Sequence, residues 1–224
     1  MRIGSEIERN NFFQEYAITS AIVENKTSER TKQIYPYVKR FLDIIFAIIG
    51  LIISSPIMLI IGILIKIESP GPIFYKQVRV GLNGKYFYII KLRSMNADAE
   101  NNGAQWAEKD DPRVTKIGKF IRRARIDELP QFWNVLVGDM SLIGPRPERP
   151  IFTAQFNEEI PGFVKRLNVR PGITGWAQIN GGYDISPKEK FVLDCYYIDN
   201  LCFLLDLKIF LKTIKVMLTG DGAR

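Results

Sequence analysis

A long apolar run near the start of the chain is the strongest feature of its hydrophobic pattern. From Phe41 to Ile65 nearly every residue is apolar, and Asp43 is the one ionisable side chain. A helix of this length rises about 37 Å, which exceeds the roughly 30 Å hydrocarbon core of a bilayer. Because the chain has no second run of this kind to pack around it, the pattern predicts a membrane helix rather than a buried core helix.

Pro56 interrupts this predicted helix, directly after Ser54 and Ser55. Proline lacks an N–H and its ring clashes with the carbonyl of Ile52, so we expect a kink, with the serine hydroxyls as the nearest partners for the freed carbonyls. Both ends of the run have basic flanks: Lys39, Arg40, Lys66, Lys76, Arg79 and Lys85. Because basic flanks favour the cytoplasmic side, the residues leave two topologies open. One is a helix bent at Ser55–Pro56 that enters and leaves by the same face, and the other is an ordinary tilted span.

After the break at residues 69–72, which read Ser-Pro-Gly-Pro, the pattern changes to that of β-strands. Residues 73–80 and 85–92 are rich in β-branched and aromatic side chains, and Gly-Leu-Asn-Gly at 81–84 separates them. This arrangement predicts a β-hairpin. The polar residues 96–112 are predicted to form a loop.

Helical periodicity begins at Val114. An apolar stripe recurs at intervals of three and four: Ile117, Phe120, Ile121 and Ala124. The opposite face is basic: Lys116, Lys119, Arg122, Arg123 and Arg125. Pro130 suits the first turn of a second helix, which we expect to continue over Gln131–Val137 and to end at Gly138.

The rest of the chain alternates loops and helices. We predict a proline-rich loop over 138–150, a helix over 151–168, a turn-rich loop over 170–176 and a helix over 187–218. Polar residues interrupt the apolar stretch 201–218, so its helix either lies in a membrane interface or packs against the core. Residues 1–36 have weak periodicity and are predicted to be an extension with one amphipathic helix.

Composition limits the chemistry available to this chain. Its 224 residues include 31 Lys and Arg, 24 Asp and Glu, and no histidine, and the net charge is +7. A basic chain attached to a membrane meets anionic lipid headgroups or phosphorylated substrates most simply. Acid/base and metal chemistry must come from carboxylates, because histidine is absent. The two cysteines, Cys195 and Cys202, are too far apart on a helix for a disulfide and indicate a reducing compartment.

Adjacent carboxylates at Asp127 and Glu128 are the most informative candidates for chemistry. They follow the basic helix and directly precede the next predicted helix, whose N-terminus favours anions. One carboxylate can attack phosphorus as a nucleophile, and carboxylate oxygens are suitable ligands for Mg²⁺. Adjacent acids are also common on solvated surfaces, so the pair alone is a weak indication.

Cations elsewhere in the chain could bind phosphate. Arg146 lies between Pro145 and Pro147, which fix the backbone that presents its guanidinium, although an exposed Arg in a structural turn has the same pattern. Further candidates are Lys91, Arg93, Arg113, Arg122 and Arg170. The glycines of the loop that begins at Arg170 allow close backbone approach, but this loop is neither a Walker motif nor a dinucleotide fingerprint.

Four blocks of sequence resemble the bacterial sugar transferases, the monotopic polyprenol-phosphate phosphoglycosyl transferases. The similarity covers residues 37–218 and is carried by KRFLDIIFAIIGLIISSPIMLII, SPGPIFYKQVRVGLNGKYFYIIKLRSM, DPRVTKIGKFIRRARIDELPQFWNVLVGDMSLIGPRPE and RPGITGWAQING. The blocks occur in the family's order. Larger members have additional N-terminal spans and a further domain, so this chain is similar to their catalytic core.

The resemblance implies a fold and a topology. The fold would be α+β and predominantly helical, in a monotopic membrane protein with a small β-hairpin. It favours the re-entrant alternative for the helix broken at Ser55 and Pro56. The implied domains are an N-terminal extension at 1–36, a re-entrant membrane helix at 37–68 and a cytosolic catalytic domain with interfacial helices at 69–224.

It also implies a reaction. Asp127 matches the family's nucleophile and Glu128 its acidic partner, with Mg²⁺ as cofactor bound by the same two residues. A sugar-1-phosphate would pass from a UDP-sugar to undecaprenyl phosphate through a covalent aspartate intermediate, with loss of UMP, to begin a cell-surface glycan. The expected location is the cytoplasmic face of the bacterial plasma membrane, with anionic lipids and no nucleic acid as partners.

Other functions compete with this one. The chain could be a non-catalytic membrane-anchored scaffold of a glycan assembly complex, or, on weaker grounds, a basic module that binds nucleic acid or lipid. The sequence specifies neither the sugar nor the oligomeric state, and a homodimer stays open.

Overall fold

The apolar run lies inside one long helix, α1, which spans Glu29–Glu68. The computed structural model describes residues 29–99, 111–181 and 185–219. Most of the extension predicted at 1–36 and most of the loop predicted at 96–112 therefore lie outside the described residues, whereas residues 29–36 belong to α1.

One face of α1 packs against the rest of the chain and the other faces outward. The buried face carries Asp43, Ala47, Ser54, Ile61 and Ile65, at the spacing of four and seven that places residues on one side of a helix. The exposed face carries large apolar side chains: Phe41, Ile45, Phe46, Ile48, Ile49, Ile52, Ile53, Ile57, Leu59, Ile60, Ile63, Leu64 and Ile67. This exposed face is far more apolar than the water-exposed surface of a soluble protein usually is.

Helix α1 continues through Pro56. Because Pro56 has no N–H, the carbonyl of Ile52 loses its helical partner. The Ser55 hydroxyl donates a hydrogen bond to that carbonyl at 2.9 Å. The prediction that a serine hydroxyl satisfies the freed carbonyl is confirmed.

The hairpin is formed by β1 (Phe74–Val80) and β2 (Tyr86–Leu92). The strands are antiparallel, Val80 is paired with Tyr86, and a 3-10 turn at Leu82–Gly84 joins them. The predicted hairpin is confirmed to within a residue at each end.

Two short helices follow, α2 at Lys116–Arg123 and α3 at Gln131–Val137, separated by a 3-10 turn at Ile126–Glu128. Pro130 directly precedes α3, and Gly138, with a φ of 96°, ends it. Both predicted boundaries of this helix are confirmed.

Residues 116–137 run antiparallel to α1 along its length. Glu68, at the end of α1, accepts hydrogen bonds from the backbone N–H groups of Lys116 (2.7 Å) and Ile117 (3.1 Å). Farther back along α1, Ile61 and Ile65 share an apolar cluster with Ile121 of α2 and Leu92 of β2.

The contacts continue to the other end of α1. Gly50 faces the Phe132 ring so closely that a Cβ there would lie 2.9 Å from it. Arg40 donates to the carbonyls of Val135 (2.6 Å) and Leu136 (2.9 Å). Both ends of the apolar run therefore lie close to contacts with the same folded unit.

Two three-residue strands, β3 (Ser141–Ile143) and β4 (Gly172–Thr174), pair in parallel. The prediction of irregular loops at both places was wrong. The backbones approach so closely that a Cβ on Gly172 would lie 2.1 Å from the Gly144 nitrogen. Strands this short give no alternating pattern in the sequence.

The helices of the C-terminal half are α4 (Pro150–Glu159), α5 (Trp176–Gly181), α6 (Pro187–Asp199) and α7 (Phe203–Thr219), with a 3-10 segment at Phe163–Asn168. The single helix predicted over 151–168 breaks before Gly162, which has a φ of 81°. The helix predicted over 187–218 ends at Asp199 and resumes at Phe203. The described chain is mostly helical, as predicted.

The last helix packs one face against the core, as one of its two alternatives predicts, and its other face is exposed. Leu205 and Ile209 are buried in a cluster with Tyr197 and Trp176. Leu204, Leu207, Phe210, Leu211 and Ile214 are exposed. Phe210 lies beside Phe46 of α1, with 6.3 Å between ring centroids. The exposed apolar faces of α1 and α7 therefore adjoin.

Candidate active site

Asp127 and Glu128 lie in the 3-10 turn between α2 and α3. Arg125, at the start of this turn, adopts the left-handed conformation with a φ of 55°, which costs a non-glycine residue energy and redirects the chain. Ile126 packs beside the apolar cluster of α1 and β2, and α3 begins after Pro130. The acidic pair is thus held between two anchored elements.

Residues on both sides of this turn pack against α1. Gly50 contacts Phe132, which follows the acidic pair, and Met58 shares a cluster with Ile126, which precedes it. The acidic pair therefore lies, along the chain, between two residues that are anchored to the apolar helix.

Two cations converge on Glu128. The Lys91 ammonium lies 2.8 Å from Glu128 Oε1, and the Arg146 guanidinium forms an ion pair with the same carboxylate. Lys91 lies farther from Asp127, at 3.8 Å from Oδ2. Within the described part of the chain, Asp127 accepts no side-chain hydrogen bond, so its buried carboxylate is held by this longer ion pair alone.

The pKa values of the two carboxylates are shifted in opposite directions. Burial raises the pKa of Asp127, and the negative charge of Glu128 raises it further, whereas Lys91 lowers it. Burial opposes ionisation of Glu128 as well, but Arg146 and Lys91 outweigh it and hold the pKa of Glu128 well below its usual range. Two adjacent acids whose environments separate their pKa values are typical of an active site.

Arg122 completes the cationic surroundings of Asp127. Its Nε donates to Ser94 Oγ at 2.8 Å, and its charge lowers the pKa of Asp127. Three of the six cations predicted to bind phosphate, Lys91, Arg122 and Arg146, therefore surround the acidic pair.

The structure places the other three predicted cations elsewhere. The Arg93 guanidinium donates to the carbonyls of Ser69 (2.7 Å) and Pro70 at the end of α1. Arg113 pairs with Asp111 at 2.6 Å, and Arg170 donates to the Gly138 carbonyl at 3.1 Å. A role of these three in binding substrate stays a prediction, and each has a structural partner in the free protein.

The loop that carries Arg146 is supported by β4. The backbone N–H of Gly172 donates to the Pro145 carbonyl at 2.9 Å, and the Gly144 N–H donates to the Thr174 carbonyl at 2.8 Å. The glycine-containing motif after Arg170 therefore positions the Arg146 loop through its backbone.

Sequence analysis missed a buried ionic cluster behind this loop. It comprises Arg79, Glu148, Arg166, Lys190 and Asp194. The one local indication was the position of Asp194 between Leu193 and Cys195 in a helix, where a charged residue needs a partner.

The acidic pair could hold a divalent cation only together with other oxygens. No group of three or more His, Cys, Asp or Glu side chains suited to a metal occurs within residues 29–99, 111–181 and 185–219. Mg²⁺ usually takes one or two carboxylates and completes its shell with water and substrate phosphates. Asp127 and Glu128 fit an ion bound in that manner.

An apolar groove of about 530 Å³ opens along α1. It runs along α1 from Ser55 to Lys66, with Ile73 and Phe74 on its other side. Its residues Met58 and Ile73 pack against the same cluster as Ile126, the residue before Asp127. The groove and the turn that carries the acidic pair thus pack against one apolar cluster.

Comparison with known proteins gives a consistent result. The sequence profile of the family described as bacterial sugar transferase matches residues 34–220. The chain is 52% identical over 194 residues to the UDP-N-acetylgalactosamine-undecaprenyl-phosphate N-acetylgalactosaminephosphotransferase of Aeromonas hydrophila, a match that covers 85% of this chain and 46% of that protein.

Two further relatives have names that specify other sugars. The UDP-glucose:undecaprenyl-phosphate glucose-1-phosphate transferase of Caulobacter vibrioides is 40% identical over 190 residues, which is 83% of this chain and 71% of that protein. A galactosyl transferase of Streptococcus agalactiae is 44% identical over 198 residues, which is 83% of this chain and 43% of that protein. The chain thus spans less than half the length of the Aeromonas and Streptococcus relatives.

Proposed function

This chain belongs to the bacterial sugar transferase family, and we propose that it transfers a sugar-1-phosphate from a UDP-sugar to undecaprenyl phosphate with release of UMP. One observation carries this function. Asp127 is a buried carboxylate that pairs only loosely with Lys91, at 3.8 Å, whereas its neighbour Glu128 binds both Lys91 and Arg146 closely. That arrangement suits a nucleophile facing a phosphate whose negative charge must be offset.

The reaction has two displacements at the same phosphorus. A carboxylate oxygen of Asp127 attacks the β-phosphorus of the UDP-sugar, and the bond from that phosphorus to the bridging oxygen breaks, so that UMP leaves. A phosphate oxygen of the polyprenol phosphate then attacks the phosphorus, and the bond to Asp127 breaks. The product is a polyprenyl diphosphate sugar, and Asp127 is restored as a carboxylate.

The residues around Asp127 support these steps by position and charge. Lys91 and Arg146 would face the diphosphate as it approaches Asp127, and positioning with electrostatic stabilisation supplies most of the catalysis of phosphoryl transfer. Asp127 and Glu128 would hold Mg²⁺, which when bound polarises phosphoryl oxygens and stabilises a departing phosphate.

We propose a monotopic placement in which α1 enters and leaves the membrane by one face. Both ends of the apolar run lie close to contacts with the same folded unit, whereas a spanning helix would carry one end to the other side. Because α1 is continuous through Pro56, its outward apolar face would lie in one leaflet, next to the exposed face of α7. Lys66, Lys116 and Lys119 would meet anionic headgroups at the cytoplasmic surface of the bacterial plasma membrane.

The groove beside α1 is suited to the polyprenyl chain of the acceptor. Its length from Ser55 to Lys66 is about 16 Å, which accommodates several isoprene units. Its volume falls within the range of about 300–1,000 Å³ typical of ligand pockets. A lipid chain in this groove would bring its phosphate to the headgroup layer near Asp127.

The test is UMP release from a panel of UDP-sugars with detergent-purified protein, undecaprenyl phosphate and Mg²⁺. UDP-N-acetylgalactosamine is the first donor to try, because the Aeromonas relative is the most similar of the three compared. Release with one donor, abolished by Asp127→Asn and retained by Asp98→Asn, would support the proposed reaction. No release from folded protein across the panel would instead support the scaffold function.

A further inference from the structure

The buried ionic cluster that contacts the Arg146 loop is separate from the acidic pair and shares no residue with it. Arg166 pairs with Asp194 at 2.6 Å and approaches Glu148 at 3.6 Å. Glu148 also pairs with Lys190 and lies 3.9 Å from Arg79. Glu148, Arg166 and Asp194 are all more than nine-tenths buried, so the cluster is an internal feature of the fold.

Two guanidinium groups of this cluster bind the backbone of the Arg146 loop. Arg166 donates to the Arg146 carbonyl at 2.8 Å. Arg79 donates to the Pro147 carbonyl at 3.1 Å. Two consecutive carbonyls of the loop therefore accept hydrogen bonds from arginines of the ionic cluster. The Arg146 side chain itself forms an ion pair with Glu128.

Burial of so many charges calls for a physical reason. Desolvation of an ion pair often costs as much as the pair gains, so apolar residues of similar volume would give equal or greater stability. Charged hydrogen bonds, however, fix a geometry more narrowly than apolar packing does, and the planar fork of arginine fixes it best. The cluster is thus better suited to orient the loop than to stabilise the fold.

We infer that Arg166 and Arg79 are positioning residues, which hold the Arg146 backbone so that its guanidinium stays on Glu128 beside Asp127. The role rests on the proposed function, since Arg146 matters only if the acidic pair is the reacting site. Neither residue touches substrate in this account. Each acts through Arg146.

The test is a double-mutant cycle on kcat. Arg166→Lys keeps the positive charge beside Asp194 and Glu148 but loses the fork that reaches the Arg146 carbonyl. A displaced catalytic group costs up to about 100-fold in rate, and we expect a loss of 10- to 100-fold for this variant. Arg146→Ala removes the guanidinium that the cluster positions. If Arg166 acts through Arg146, adding Arg166→Lys to Arg146→Ala lowers kcat no further.

Arg79→Lys is the second probe and keeps the inference testable if Arg166→Lys does not fold. It should give a smaller loss that also disappears in the Arg146→Ala background. Arg123→Lys, on the exposed end of α2, is the matched control and should leave kcat unchanged. Melting temperatures measured in parallel separate a loss of fold from a loss of rate.

Each outcome has one meaning. Equal fold-losses of Arg166→Lys and Arg79→Lys in the wild-type and Arg146→Ala backgrounds would overturn the positioning role, because the two residues would then act independently of Arg146. Unchanged kcat in both single variants would also overturn it. Absence of UMP release from folded wild-type protein would contradict the proposed function itself, and the inference would fall with it.

Discussion

Arg146 and Glu128 form an ion pair across 18 positions of the chain, between a proline-bounded loop and the turn that carries Asp127. The pair fixes the charge of Glu128 and leaves Asp127 as the carboxylate with the raised pKa. In the proposed reaction this asymmetry gives the two acids different tasks: Glu128 would position the cations, and Asp127 would attack.

The pH dependence of the reaction should report Asp127. Its carboxylate must be ionised to attack, and burial together with Glu128 raises its pKa. The rate should therefore fall as the pH decreases through a value above the ordinary aspartate range, in a profile of kcat/KM against pH. Lys91→Met should move this acid limb to higher pH, because Lys91 lowers the pKa of Asp127. An acid limb at or below the ordinary value of 3.8 would contradict the assignment.

The monotopic placement predicts that both ends of α1 are accessible from one side. Single cysteines at Tyr37 and Pro70, two exposed positions at opposite ends of the apolar run, would be introduced after Cys195→Ala and Cys202→Ser. A membrane-impermeant maleimide should label both in inside-out vesicles and neither in intact cells with a permeabilised outer envelope. Labelling of one position from each side would show a spanning helix.

If the groove beside α1 binds the polyprenyl chain, filling it should weaken binding of the lipid substrate and leave binding of the UDP-sugar unchanged. A Cβ at Gly62 would lie 3.2 Å from the Ile73 side chain, so Gly62→Leu should fill the groove. We expect the KM for undecaprenyl phosphate to rise about tenfold with the KM for the UDP-sugar unchanged, since a lost apolar contact costs on the order of 1–3 kcal/mol. Ile60→Leu, on the exposed face, is the control. An equal rise in KM for both substrates would argue against lipid binding in the groove.

Acid should destabilise the fold through Glu148. Burial opposes its ionisation, but Lys190 and Arg166 outweigh burial and lower its pKa from 4.5 to about 2. A depressed carboxylate pKa gives stability that is present above the unfolded value and is lost as the pH falls through the folded value. The melting temperature of wild-type protein should therefore fall more steeply between pH 4.5 and 2 than that of Glu148→Gln. Parallel curves for the two proteins would contradict the prediction.

Local sequence patterns sufficed to predict several elements. The boundaries of α3 follow from Pro130 and Gly138, whose backbone preferences are set by single residues. The hairpin of β1 and β2 follows from two β-rich runs around a glycine-bounded turn. The Ser55 hydrogen bond to Ile52 follows from the missing N–H of Pro56.

What sequence analysis missed depends on contacts between distant positions. Strands β3 and β4 have three residues each and are defined only by their pairing across about thirty positions. The ionic cluster unites Arg79, Glu148, Arg166 and Asp194 from four separate segments. Arg93 is of a residue type that often binds phosphate, but it donates to carbonyls at the end of α1. No local sequence pattern distinguishes a phosphate-binding arginine from one that binds the backbone.

The most direct test is capture of the sugar-phosphate on the protein. Wild-type protein incubated with the accepted UDP-sugar and Mg²⁺, without undecaprenyl phosphate, should gain the mass of one sugar phosphate, with peptide mapping to Asp127. Addition of undecaprenyl phosphate should discharge the adduct, Asp127→Asn should abolish it, and Asp98→Asn should retain it. UMP release by Asp127→Asn at the wild-type rate, or an adduct on another residue, would contradict the assignment of Asp127 as the nucleophile.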